Sequence, residues 1–88
     1  MVAFDWQHYG RFVRAAAVEQ GWFVYWGRHR EAGRMRIVAG SRTYTDLDGA
    51  RRRIADAVLE LTGKEALVAE ALVRFDRSFL ATVGAVSR

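Results

Sequence analysis

Apolar positions along the chain change their spacing twice, from helical to strand-like and back, and breaks at glycines divide the chain further into predicted elements. Trp6, Tyr9, Val13, Ala16 and Ala17 recur at three- and four-residue intervals, with Phe12 beside them and His8, Arg11, Ala15 and Glu19 opposite. That period predicts a first helix, with Asp5 as N-cap and Gly21 as the residue that ends it. Residues 22–27, WFVYWG, are aromatic and β-branched and too short between glycines for a good helix, so they read as a strand. Gly33 offers a turn, and 34–39 form a second strand with Met35, Ile37 and Ala39 on one face. Gly40-Ser41 turns again before a short third strand over 42–44.

Thr45 or Asp46 then caps a second helix, with Asp48 placed for a Thr-x-x-Asp capping box. Its inward stripe is Leu47, Ala50, Ile54, Val58 and Leu61. Gly63 closes it, and Thr62 with Glu65 forms a capping box for a third helix. That helix carries a main stripe of Val68, Leu72, Phe75, Phe79, Val83 and Val86. A second ridge, Ala66, Ala69, Val73 and Leu80, lies roughly 100–160° round its axis. This ridge is either a self-association surface or the side of a helix packed between the sheet and the first helix. The expected fold is a single α+β domain over residues 1–88, in the order α-β-β-(β)-α-α. Its antiparallel sheet of two or three strands packs on three helices.

Composition narrows the chemistry. The 88 residues contain no cysteine, which removes disulfides, thiolate metal sites and a cysteine nucleophile, and suits a reducing cytoplasm. The start, MVAFDWQHYGR, has an acid at Asp5 and no apolar run, so a signal peptide is not expected. No apolar segment approaches the roughly 20 residues needed to span a bilayer, so no membrane partner is expected. A cytoplasmic location follows from these expectations.

The net charge of +4 is unevenly placed. Residues 28–53 hold eight arginines against Glu31, Asp46 and Asp48, a local +5, while the remainder is close to neutral. Arg51-Arg52-Arg53 contributes less than its spelling suggests. On a helix these residues point in three directions, Arg52 lies four residues from both Asp48 and Asp56, Arg53 reaches Asp56, and Arg51 borders the apolar stripe. The hairpin arginines have only Glu31 nearby.

Those arginines adjoin a strand with aromatic groups on both faces. Trp22, Val24 and Trp26 share one face, suited to meet the helices together with Met35 and Ile37; Phe23 and Tyr25 share the other. Rings beside arginines suit single-stranded nucleic acid, because bases stack on the rings while guanidinium groups hold phosphates. The alternative is that Phe23 and Tyr25 are covered by the third helix or a second subunit.

The expected function is therefore non-catalytic nucleic-acid binding, with Arg28, Arg30, Arg34, Arg36 and Arg42 on phosphates and Phe23 and Tyr25 under bases. The second expectation is a small protein-interaction module, an adaptor or inhibitor of the kind phages and mobile elements encode, docking the same hairpin on an acidic or nucleic-acid-binding protein. A homodimer is compatible with either. Enzyme signatures are absent: Ser41, Ser78 and Ser87 lack a Gly-x-Ser-x-Gly context, and no glycine loop matches a phosphate-binding fingerprint. His8 and His29 have no metal-ligand spacing, so neither a metal nor another cofactor is expected.

Over roughly residues 4–62, the order helix, hairpin, short strand, helix resembles a double-stranded-RNA-binding domain, with His29 in a loop between strands. The sequence departs from that family where its paired lysines would open the second helix: here it reads Leu47-Asp48-Gly49-Ala50-Arg51. The family's Gly-Pro before the loop histidine is also missing. The resemblance implies RNA binding by element order alone.

Overall fold

The computed structural model describes residues 3–19, 21–32 and 35–86, with side chains at 3–19, 21–29 and 40–78. Four strands precede two helices: β1 (Phe4–His8), β2 (Arg11–Val18), β3 (Gly21–Ala32), β4 (Met35–Thr45), α1 (Leu47–Thr62) and α2 (Glu65–Val86). The strands form one antiparallel meander in the order β1-β2-β3-β4. The α+β class is as expected, but the described residues form two helices in place of three and four strands in place of two or three.

The difference lies in residues 4–18. Tyr9 and Gly10 both have positive φ, 47° and 78°, and form the two-residue loop of a hairpin whose last pair is His8 and Arg11. Loops of this kind need left-handed backbone at both central positions, which matches the right-handed twist of the flanking strands. Once the chain turns there, the same residues read with a period of two. Phe4, Trp6, Val13 and Ala15 face one side and are buried. Asp5 is therefore no helix cap; it faces Arg14 across the hairpin. Gly21 opens β3 instead of closing a helix.

β3 and β4 are longer than expected and extend well past β1 and β2. The predicted turn at Gly40-Ser41 does not form. Gly40 is paired with Gly27 inside β4, where an added Cβ would overlap the carbonyl oxygen of Trp26. Glycine here permits close strand approach, and the described part of the predicted second strand, 35–39, merges with 42–44 into one strand. His29 lies within β3 and not in a loop, so the element order of a double-stranded-RNA-binding domain is not reproduced. Met35 and Ile37 pair with Ala32 and Arg30 at the far end of this hairpin, away from Trp22 and Val24. The turn expected at Gly33 lies outside the described residues.

The helix positions were well signposted. Asp46 caps α1 by accepting from the Gly49 amide at 2.7 Å, and Gly63, with φ 68°, ends it. Thr62 does not form the expected box with Glu65; its hydroxyl donates to the Val58 carbonyl at 2.7 Å and accepts from the Lys64 amide at 3.2 Å. The arginine triplet also pairs differently. Arg51 makes two 3.0 Å bonds to Asp76 on α2, and Arg53 reaches Glu60 at 2.8 Å while covering the Trp26 ring at 3.9 Å. The expected bridges from Arg52 to Asp48 and Asp56 do not form, and Arg52 is exposed.

Both helices pack on one face of the sheet, α1 over β2, β3 and β4 and α2 over β1. Trp6, Val13, Trp22, Val24 and Trp26 meet Ala50, Ile54, Ala57 and Val58 of α1 and Ala71 and Phe75 of α2. Phe75 stands edge-on to Phe4 at 5.4 Å and to Trp22 at 5.3 Å, which locks α2 to the sheet. Truncating a buried phenylalanine of this kind costs about 3–5 kcal/mol. Because residues 4–18 form strands, α2 has no first helix to pack against, and the second ridge is not covered as one alternative required: Ala66 and Ala69 are exposed and Val73 is 49% exposed. The Leu80 side chain lies outside the described residues.

Candidate nucleic-acid interface

Among the described residues, no helix lies over the sheet's other face. Cross-strand register arranges its side chains in rows: Ala16, Phe23 and Tyr44; then Asp5, Arg14, Tyr25 and Arg42; then Gln7, Phe12, Gly27 and Gly40. The aromatic members touch in a chain. Phe23 lies 4.8 Å from Tyr44 and 5.4 Å from Tyr25, at interplanar angles of 41° and 30°. Tyr25 meets Phe12 at 6.1 Å, and Phe12 meets His29 at 4.8 Å.

Exposure grades across this cluster. Tyr44 is 67% exposed, Phe23 and Tyr25 are half-buried, and Phe12 is only 1% exposed. Phe12 takes no part in the core beneath the helices. It is buried by its own neighbours Tyr25, His29 and the Arg14 guanidinium, whose carbon lies 5.3 Å from the ring centre. The paired glycines 27 and 40 leave a dip beside it. There an open concavity of about 450 Å³ is lined by Phe12, Phe23, Tyr25 and Arg42, with Trp26, Gly40 and Ser41 completing it.

Charge on the face is unequally committed. The Arg14 Nε donates to Asp5 Oδ1 at 3.1 Å, and Gln7 also leans on that carboxylate. The Asp5 hydrogen bond raises the Arg14 pKa, burial opposes it in part, and Tyr25 adds to it. Arg14 is thus a fixed, neutralised cation. Arg42 is exposed, faces Tyr25 across the β3–β4 ladder, and has no acid among the described side chains bound to it.

Of the predicted site residues, Phe23, Tyr25 and Arg42 come together on this face, and neither helix covers it. Arg28 does not join them: alternation places it on the helix-facing side, where its strand neighbours are Arg11 and Ala39. Arg30 and Arg36 occupy the distal hairpin, opposite Ile37 and Glu31, and their side chains lie outside the described residues, as does Arg34 altogether. Phe12, Arg14 and Tyr44 were missed. The period-two spacing of Phe12 and Arg14 was the available signal, hidden by the helical reading of the same segment.

Comparison of the chain with protein-family models, with curated proteins and with solved structures returns no match. Among the described residues no three histidine or acidic side chains converge as a metal-ligand set, and no helix is long and apolar enough to cross a membrane.

Proposed function

We propose that the protein is a non-catalytic binder of single-stranded nucleic acid and that the helix-free sheet face is its binding surface. The observation that carries this reading is the contiguous ring array Phe12, Tyr25, Phe23 and Tyr44 beside the uncommitted Arg42. Unstacked bases reach rings set in a shallow concavity, whereas in a duplex those base faces are already occupied. Tyr44, Phe23 and Tyr25 offer the stacking surface, and Phe12 supports it from below. Arg42 holds a phosphate beside Tyr25; Arg30 and Arg36, on the strand segments beyond it, extend the basic track, and Arg34, between them in sequence, adds to the charge. Arg28 adds charge from the sheet's other side. Ala66, Ala69 and Val73 offer a separate candidate for self-association.

The test is fluorescence anisotropy with labelled single-stranded and duplex DNA and RNA at several salt concentrations. Five phosphate contacts on a single strand predict a slope of about −3.5 in log affinity against log salt. Single strands should bind more tightly than duplexes of the same length. A flat salt response, or no binding at low salt, refutes the reading and turns the same face toward an acidic protein partner.

A further inference from the structure

A second cationic arrangement lies on the opposite, helix-facing side of the sheet. His8, Arg11 and Arg28 are register partners across β1, β2 and β3, one step beyond the buried row Trp6, Val13 and Trp26. The hairpin loop closes at His8 and Arg11, and the next bond from β3 runs from the His29 amide to the Gly10 carbonyl at 2.8 Å. Arg11 and Arg28 are therefore a non-hydrogen-bonded pair, the kind whose Cα atoms approach to about 4.5 Å.

Like charges directly opposed in this way destabilise a sheet. No carboxylate among the described side chains relieves the repulsion. Asp5 is taken by Arg14 and Asp76 by Arg51. Glu60 borders a concavity of about 340 Å³ shared with Arg28, but it is held by Arg53 at 2.8 Å. Glu31 is the register partner of Arg36. The Arg11 Nε is moreover shut off from water with no hydrogen-bond partner, a costly state for a charged donor. His8 is held in place by stacking on Trp6 at 5.8 Å and by the edge of Tyr9 at 4.6 Å.

Two opposed guanidinium groups, an unsatisfied donor and a fixed imidazole call for an anion with several acceptor oxygens. The geometry points to a phosphate-binding site formed by His8, Arg11 and Arg28. Guanidinium forks match phosphate oxygens two at a time, and the bound anion cancels the repulsion between the arginines. The phosphate is either a free phosphate group or one in a nucleic-acid backbone. The site does not depend on the aromatic face, which lies across the sheet.

The test is thermal melting in millimolar sodium phosphate against sodium chloride of equal ionic strength, for wild type, Arg28→Gln and the double variant Arg11→Gln/Arg28→Gln. Phosphate at ten times its dissociation constant should raise the wild-type melting temperature by roughly 5–10 °C more than chloride does. Both variants should lose that excess. Without phosphate the double variant should melt no lower than wild type, because substitution removes the repulsion. Equal responses to phosphate and chloride overturn the proposal, as does a double variant that keeps the wild-type response. Arg28→Gln changes only an exposed side chain, so it reports even if the double variant fails to fold.

A single-stranded oligonucleotide separates the two sources of phosphate. If its backbone occupies the site, the double variant shows a salt slope shallower by about 0.7–1.4. An unchanged slope alongside an intact wild-type phosphate response assigns the site to a free phosphate group. Because the melting arm uses no nucleic acid, failure of the stacking face leaves its outcome untouched.

Discussion

Replacing Tyr44 by alanine separates a stacking surface from a structural layer. Tyr44 is 67% exposed on an edge strand, and its ring contact among the described residues is with Phe23 at 4.8 Å. A fully buried aromatic side chain contributes about 1.5–3 kcal/mol, so the buried third of Tyr44 accounts for less than about 1 kcal/mol. For a domain of this size that is a melting-temperature drop of at most about 4–8 °C. Stacking of one base is worth about 1–3 kcal/mol, so single-strand affinity should fall about 5- to 150-fold. Phe12→Ala is the contrasting case. At 1% exposure its loss should cost about 3–5 kcal/mol of stability, a large share of what a small domain has. Thermal melts and anisotropy titrations on the two variants give all four values. The reasoning fails if Tyr44→Ala binds single strands within twofold of wild type, or if it melts as low as Phe12→Ala.

Gly40→Ala should destabilise by about 1–3 kcal/mol, because its Cβ would overlap the Trp26 carbonyl and the two strands would have to separate; chemical denaturation measures it. Tyr9→Asn should raise stability by about 0.5–1 kcal/mol, since Tyr9 is 88% exposed at φ 47°, a conformation asparagine adopts more readily; a lower melting temperature would contradict this. The Arg14 and Arg51 pKa values are raised by hydrogen bonds to Asp5 and Asp76, so the stability they add is complete below the unfolded guanidinium pKa. It is lost only as pH climbs through the higher folded value. Arg14→Gln should therefore lower stability by at most about 1 kcal/mol, and by the same amount throughout about pH 6–10, as melts across that range would show.

The helical half was legible because its signals are local. Asp46, Gly63 and the stripe containing Ala50, Ile54 and Val58 each act within a few residues, and each appears where the spacing placed it. Residues 4–18 were misread because their apolar positions satisfy two periods at once. Trp6 and Val13 belong equally to a helical stripe and to a strand face, and Gly10 decides between them by admitting the left-handed turn. The face division within β3 was readable from alternation alone. Which arginines accompany Phe23 and Tyr25 was not, because it depends on the β3–β4 register. The 27–40 glycine pair carries that ladder straight through a predicted turn, bringing Arg42 opposite Tyr25 and sending Arg36 to the far end.

This register lets a single strand serve two layers. Even positions 22, 24 and 26 of β3 close the core under the helices, while Phe23 and Tyr25 stand on the helix-free face. An aromatic face left without a covering element would ordinarily be adaptable and costly to order on binding. Here Phe12 is buried by Tyr25, His29 and Arg14, and Arg14 is itself pinned by Asp5. The rings above it are thus held from below before any ligand arrives, and the chain conformation under them is fixed by the core on the other side. Less side-chain freedom remains to be lost on association, at about 0.5–1.5 kcal/mol for each side chain already ordered. On the proposed reading, a small domain in this way presents a stacking surface without a second layer of structure to support it.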